Sequence, residues 1–179
     1  PTVAHIAFEA LPHLARQLAS RFPKSRVFPI ALSDASGNTE FYHVKNDPAY
    51  SGIKRRSYDR PDPEIEIIRV PCARLDDVVE PSDEISFIKL DIEGGEYHAM
   101  VGASTVIAEC RPVIVFEASD RSTGHYAVTP DMFYDLLHDE FDLSISTMAR
   151  WLTDKKPFSR HEFLRAYNDD YYFIAYPAP

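Results

Sequence analysis

The first 32 residues alternate between apolar segments and one amphipathic segment, and this alternation limits the possible folds more than any other feature of the chain. Residues 3–8 and 27–32 are short, apolar and partly β-branched, as is typical of strands buried on both faces. Between them, residues 11–22 place apolar side chains at helical spacing, and Pro23 ends the pattern. A strand–helix–strand unit of this length predicts two parallel strands joined by a right-handed crossover.

The rest of the chain continues the alternation, with one antiparallel pair inserted. Residues 39–44 and 64–70 are predicted to form two strands of a β-hairpin, joined by a long polar loop. A brief helix or turn is expected at residues 75–79. Four further strands are predicted at residues 85–92, 112–116, 141–146 and 171–176. Apolar strands that alternate with helices predict an α/β fold in which a mostly parallel sheet carries helices on both faces, within one domain of residues 1–179.

Two helices follow from the same patterns. One is predicted after residue 95, and its apolar side consists of Tyr97, Met100, Val101, Ile107 and Ala108. The other is predicted to begin with Thr129 as N-cap and Pro130 in its first turn.

Composition excludes several functional classes. The six glycines form no Gly-x-Gly pattern, so the chain contains neither a P-loop nor a dinucleotide-binding fingerprint. The net charge of −9 argues against a broad nucleic-acid or anionic-membrane surface. Cys72 and Cys110 lack metal-type spacing, and their small number predicts a reducing, cytoplasmic environment. No apolar run approaches the roughly 18 residues of a membrane-spanning helix, and no feature of the sequence requires a metal ion.

Acidic residues follow four of the predicted strands, where ligands bind in open α/β sheets. Glu9 closes the first strand and can accept hydrogen bonds from both hydroxyls of a ribose, or it can interact favourably with the N-terminal end of a helix. Ser33 and Asp34 follow the next strand and can face an adenine edge, although these residue types are also typical of turns. Glu117 ends a third strand.

The segment Asp91-Ile92-Glu93-Gly94-Gly95-Glu96 is the most specific signal in the sequence. If extended geometry persists, Asp91 and Glu93 lie on the same face, and the two glycines allow the backbone to approach a ligand. Two neighbouring carboxylates can shift each other's pKa values, which suits one of them to accept a proton from a substrate hydroxyl. The alternative is structural, with Asp91 or Glu93 capping the following helix and Glu96 stabilising its first turn.

The only dense basic cluster consists of Lys54, Arg55, Arg56 and Arg60. Such a loop can bind an anionic substrate or partner, because Arg grips carboxylate and phosphate groups through a two-pronged donor. A solvated loop without a ligand explains the same pattern equally well.

Five stretches of the sequence together resemble the FkbM-type S-adenosylmethionine-dependent methyltransferases. They are IAFEALPHLARQL (6–18), FPIALSDASGNTEFY (28–42), RLDDVV (74–79), FIKLDIEGGEYHAMVGA (87–103) and RPVIVFE (111–117). The resemblance implies a Rossmann-like methyltransferase sheet and transfer of a methyl group from S-adenosylmethionine to an oxygen of a small molecule or glycan.

The resemblance also implies roles for individual residues. Glu9 would bind the ribose of the cofactor, Ser33 and Asp34 would lie beside the adenine, and Gly94 would allow close approach of the backbone. Asp91 and Glu93 would lie near the transferred methyl group and the acceptor hydroxyl. Glu117 would help orient the substrate or, with Asp91, hold a divalent cation. The basic loop adds Lys54 and Arg55 as candidate substrate-binding residues, on their charge rather than on the resemblance.

The chain departs from the family pattern at its N-terminal side. In the family, a strand ahead of the segment matching residues 6–18 carries a Gly-rich loop that wraps the methionine part of the cofactor. The sequence begins too late to contain it, so we expect an N-terminally truncated domain that lacks the central first strand and binds cofactor poorly. Two alternatives stay open: a non-catalytic methyltransferase-like domain that binds a partner or anionic ligand through residues 54–60, and a nucleotide-dependent oxidoreductase.

Overall fold

The strand–helix–strand unit at the start of the chain forms as the sequence predicts. A computed structural model describes residues 4–58 and 61–178. Strands β1 (Ile6–Phe8) and β2 (Arg26–Phe28) pair in parallel, and helix α1 (Pro12–Arg21) connects them in sequence. The two strands form a small sheet of their own, so their side chains are half-buried or exposed rather than buried on both faces. Val3, predicted to begin the first strand, lies outside the described residues.

The second predicted strand divides in two at a proline. Strand β2 ends at Phe28, and residues Ala31–Leu32 form β3 in a different sheet. Pro29 lies between them and has no N–H to donate to a ladder, so a single continuous strand cannot form there.

The predicted hairpin is present and longer than expected. Strands β4 (Gly37–Val44) and β5 (Ile65–Ala73) pair antiparallel along eight residues each. Strand β3 pairs with the other edge of β5 in parallel, which gives a three-stranded sheet in the order β3-β5-β4.

The third sheet has four strands in the order β6-β7-β9-β8. Its strands are β6 (Phe87–Leu90), β7 (Val113–Glu117), β8 (Leu143–Thr147) and β9 (Tyr172–Pro177). Strand β6 pairs with β7 in parallel, whereas β9 is antiparallel to both of its neighbours. Of the six strand pairings in the three sheets, three are parallel and three antiparallel. The α/β class is therefore confirmed, but the sheets are small and mixed rather than mostly parallel.

The helix predicted after residue 95 is two helices, α2 (Glu96–Val101) and α3 (Ser104–Cys110). They separate at Gly102, where a Cβ atom would overlap the carbonyl oxygen of Ser33. The carboxylate of Asp76, in the 3₁₀ turn Leu75–Asp77, accepts the N–H groups of Thr105 at 3.1 Å and Val106 at 3.0 Å. These bonds satisfy donors in the first turn of α3 and make it a separate helix.

The remaining helices cover the four-stranded sheet and complete the core. They are α4 (Asp120–Thr123), α5 (Pro130–Tyr134), which continues as a π-helical segment (Asp135–Glu140), α6 (Met148–Trp151) and α7 (Arg160–Asp169). Thr129 caps α5 as predicted, because its side chain accepts the N–H of Met132. Fully buried aromatic side chains fill the space between helices and sheet: Phe116, Phe133, Phe163, Tyr167 and Phe173.

Strands β1 and β6 are each the outer strand of a separate sheet. Within residues 4–58 and 61–178, no strand pairs with the second edge of either one. No helix in that part of the chain is long and apolar enough to cross a membrane.

Candidate active site

A cleft of about 430 Å³ opens where β1 and β6 end. Three carboxylates line it, those of Glu9, Asp91 and Glu93. Most of the other lining side chains are apolar and include Phe8, Leu11, Leu14, Leu32, Phe41 and Ile53. A concave, mostly apolar space of roughly 300–1,000 Å³ with a few polar groups is the usual form of a small-molecule site.

Glu9 lies at the mouth of the first crossover and makes a local hydrogen bond. Its Oε1 atom accepts the N–H of Leu11 at 2.8 Å, directly before α1 begins. Its own N–H donates to the carbonyl of Phe28 at 3.0 Å, which ties the end of β1 to β2. The residue thus orders the start of the helix and lines the cleft, so the structural and the ligand-binding interpretations are compatible.

Ser33 and Asp34 are not among the residues that line the cleft. The Ser33 hydroxyl donates to Asp34 Oδ1 at 3.1 Å, and the Ser33 N–H donates to the carbonyl of Ala73 at 3.0 Å. Asp34 is exposed. These contacts are the turn chemistry described above, and a contact of the pair with an adenine stays a prediction.

The acidic segment of residues 91–96, here called the acid turn, bends sharply instead of continuing the strand. Strand β6 ends at Leu90, and Glu93 has a φ of 63° in the left-handed region. The extended geometry on which the same-face placement of Asp91 and Glu93 depends therefore does not persist beyond Leu90. Both nevertheless line the cleft, because the turn directs them there.

Gly94 makes this turn possible. Its φ is 100°, and a Cβ atom would overlap the carbonyl oxygen of Ser122 and lie 2.9 Å from Cε2 of Tyr126. The close approach that requires glycine is thus to α4 and the turn after it, and Gly95, rather than Gly94, lines the cleft.

Asp91 lies beside Glu117 and is paired with a lysine. Leu90 is opposite Phe116 in the parallel β6–β7 register, so Asp91, which follows β6, and Glu117, the last residue of β7, are neighbours. Glu117 itself is not among the residues that line the cleft. Lys89 Nζ is 2.6 Å from Asp91 Oδ2. The side chain of Asp91 is 37% exposed, so this ion pair is partly screened by solvent.

Burial and like charges dominate the electrostatics of the cleft. Burial raises the pKa of Glu93 to about 7, the ion pair with Arg56 opposes this rise, and Glu117, Asp91 and Asp47 add to it. Burial, followed by the negative charge of Asp91, also raises the pKa of Glu117. A carboxyl group with a pKa of about 7, such as that of Glu93, is suited to acid–base chemistry near neutral pH.

Glu96 supports the acid turn from inside the protein. It is fully buried, and its Oε1 atom accepts the N–H of Ile92 at 2.8 Å. Its Oε2 atom has no hydrogen-bond partner among the described residues, and burial raises its pKa to about 7. Glu96 thus lies in the first turn of α2, as predicted, and orders the backbone ahead of that helix.

The basic loop divides into exposed and buried cations. Lys54 and Arg55 are exposed and do not line the cleft, and Arg60 lies outside the described residues. Arg56, by contrast, is only 12% exposed and forms an ion pair with Glu93. The sequence does not distinguish Arg56 from its neighbours, since three consecutive basic residues carry no signal of which one turns inward.

No three His, Cys, Asp or Glu side chains within the described ranges are grouped so that they could hold a metal ion.

Comparisons with known proteins agree with the motifs. The family model for the methyltransferase FkbM domain matches residues 1–149. The crystal structure of methyltransferase FkbM from Methylobacillus flagellatus KT has a TM-score of 0.51 and 17% sequence identity to the chain. That match covers 96% of this chain and 36% of the other, so the chain spans about a third of that protein's length. No curated protein matches the chain.

Proposed function

The chain belongs to the FkbM methyltransferase domain family, and on that premise we propose that it transfers a methyl group from S-adenosylmethionine to a hydroxyl oxygen of a small molecule or glycan. One observation supports this proposal above the others. Glu9, at the end of β1, and the residues Asp91 and Glu93, beyond the end of β6, line the same cleft. Two strands of separate sheets therefore direct carboxylates to one apolar space, at the strand ends where α/β proteins bind their ligands.

The residues of the cleft fit the proposed cofactor. Apolar walls such as Phe8 and Leu32 suit a purine ring, and the Glu9 carboxylate beside the start of α1 suits a ribose diol. Ser33 and Asp34 remain the predicted adenine contacts. When bound, S-adenosylmethionine would supply an electrophilic methyl carbon, whose bond to the sulfonium sulfur breaks as the bond to the acceptor oxygen forms, with S-adenosylhomocysteine as the leaving group.

The carboxylates of the site have separate roles in this proposal. The acceptor hydroxyl must lose its proton as its oxygen gains the methyl carbon, and Asp91 or Glu93 accepts that proton. A pKa of about 7 lets Glu93 act as a base near neutral pH. Glu117, beside Asp91, orients the acceptor, and correct positioning of the reacting groups supplies much of the rate.

Binding of S-adenosylhomocysteine, measured by isothermal titration calorimetry, tests the cofactor assignment. We expect Glu9→Gln to weaken binding about tenfold or more, because a carboxylate accepts stronger hydrogen bonds from a diol than an amide does. Glu40→Gln, an exposed residue outside the cleft, is the matched control and should leave affinity unchanged. The measurement is made on this chain and on a version extended by any residues encoded ahead of Pro1. Binding by neither would overturn the methyltransferase proposal.

A second candidate function rests on the exposure of Lys54 and Arg55. Two exposed cations in a loop that packs on an acidic cleft favour a surface for an anionic ligand or partner, with or without catalysis. In the methyltransferase proposal, Lys54 and Arg55 contact the acceptor. We also propose that the protein acts in the cytoplasm. Retained partner binding in a chain that binds no S-adenosylhomocysteine would favour the non-catalytic function.

A further inference from the structure

A short segment of the hairpin loop, residues 51–56, packs against the acid turn. Gly52 exchanges backbone hydrogen bonds with Tyr42 of β4, at 2.8 and 3.3 Å. The buried Ser51 hydroxyl accepts the N–H of Val44 at 3.0 Å. On the opposite side, a Cβ atom on Gly52 would lie 3.4 Å from Cβ of Glu93. The loop is therefore anchored to the hairpin and held in contact with Glu93.

Arg56 is the residue of this segment that reaches the Glu93 carboxylate. Its Nη2 atom pairs with Oε2 of Glu93. Its guanidinium carbon lies 4.9 Å from the centre of the Tyr50 ring, within cation–π range. Tyr50 is itself packed edge-on against Tyr58, with ring centres 6.4 Å apart. These contacts hold the guanidinium group between the Tyr50 ring and the Glu93 carboxylate.

A nearby cation favours the charged form of Glu93. Its side chain is only 17% exposed, and burial disfavours a carboxylate. Lys89 is already paired with Asp91, whereas Arg56 pairs directly with Glu93. Within residues 4–58 and 61–178, the other groups that interact electrostatically with Glu93 are acids or phenols: Asp47, Asp91, Glu96, Glu117, Tyr126 and Tyr172.

We propose that Arg56 is a positioning residue of the methyl-transfer site, which keeps the Glu93 carboxylate charged and directed at the cleft. Its catalytic meaning rests on the function proposed above, whereas the coupling between Arg56 and Glu93 does not. A base must be unprotonated to accept a proton, so the charge on Arg56 controls the pH range in which Glu93 can act. The basic loop thereby becomes part of the active site through one of its residues.

Titration of Glu93 by carbon-13 NMR tests the coupling without any cofactor. The Glu93 carboxyl signal is assigned by its loss in Glu93→Gln. In Arg56→Gln we expect its midpoint to rise by about 1–3 pH units, the usual effect of removing an opposite charge at this distance. Arg56→Lys keeps the charge and should restore most of the wild-type midpoint, and Arg55→Gln, at an exposed neighbour, should leave it unchanged. An unchanged midpoint in Arg56→Gln would overturn the proposal.

The pH dependence of methyl transfer separates this inference from the proposed function. We expect Arg56→Gln to move the acidic limb of the kcat/KM profile to higher pH by the same amount. Activity at pH 7 should fall about fivefold or more and should recover at higher pH. A shifted midpoint in a chain without cofactor binding or methyl transfer would contradict the function and leave the coupling intact. Active Arg56→Gln with a wild-type pH profile would contradict the inference and leave the function intact. If Arg56→Gln does not fold, Arg56→Met, which keeps the apolar stem and removes the charge, makes the same comparison, with the Glu93 midpoint as the readout and Arg55→Met as the control.

Discussion

Replacing the buried carboxyl group of Glu96 should change how stability depends on pH. The pKa of this group rises from 4.5 in the unfolded chain to about 7 in the folded protein, because it is fully buried. The folded protein therefore binds the proton of Glu96 more tightly than the unfolded chain does. This difference stabilises the fold fully below pH 4.5, and the stabilisation is lost as pH rises through 7. Since one pKa unit is worth about 1.36 kcal/mol, the full loss is about 3 kcal/mol, of which about 2.5 kcal/mol falls between pH 5 and pH 8.

Urea unfolding of wild type and Glu96→Gln at pH 5 and pH 8 measures this effect. The glutamine oxygen can still accept the N–H of Ile92, but the side chain cannot ionise. We expect the free energy of unfolding of Glu96→Gln, relative to wild type, to increase by about 2.5 kcal/mol from pH 5 to pH 8. Taking the difference removes most of the contributions of Glu93 and Glu117, which remain in both proteins and interact with Glu96 only as minor causes of its raised pKa. Glu109→Gln, at an exposed position on α3, should show no such change. Parallel pH dependence of Glu96→Gln and wild type would refute the reasoning.

Three further predictions concern the acid turn and its surroundings. Gly94→Ala should destabilise the protein by about 3 kcal/mol or more in urea unfolding, because the added methyl group meets backbone at positive φ. Gly124→Ala, with open space around it, is the control and should change the free energy of unfolding by no more than about 1 kcal/mol. Equal effects of the two substitutions would contradict the packing role of Gly94. Asp76→Ala should cost about 1–2 kcal/mol by the same measurement, since it removes two hydrogen bonds to the start of α3, and an unchanged midpoint would contradict this. Asp91→Asn should lower turnover about a hundredfold while S-adenosylhomocysteine affinity and folding are retained. Activity within a few-fold of wild type would contradict the proposed role of Asp91 as a base, and its ion pair with Lys89 would then be its only role.

The sequence predicted elements well where the pattern is local. The stripe of α1, the hairpin of β4 and β5, and the Thr129 cap all depend on residue spacing within one segment, and all are present. The point at which one predicted helix divides into two and the direction of a strand were harder to predict. The division at Gly102 depends on its contact with Ser33, which is distant in sequence. The antiparallel direction of β9 also depends on tertiary packing that periodicity does not encode.

The candidate site was predicted in part for the same reason. Strand ends indicated Glu9, Asp91 and Glu93, and all three line one cleft. The inward turn of Arg56 depends on Tyr50 and Glu93, so composition alone could not separate it from the other basic residues of its loop. The left-handed conformation of Glu93 and the close approach of Gly94 to α4 also involve contacts between segments that are distant in sequence.

The central claim, that this cleft binds the cofactor, is tested most directly by backbone amide NMR during titration with S-adenosylhomocysteine. We expect the largest shift changes at Glu9, Asp91 and Gly95, which line the cleft, and little change at Glu40 on the far hairpin. Changes confined to residues outside the cleft, such as Glu40 and Arg69, or no saturable change at any amide, would contradict the account.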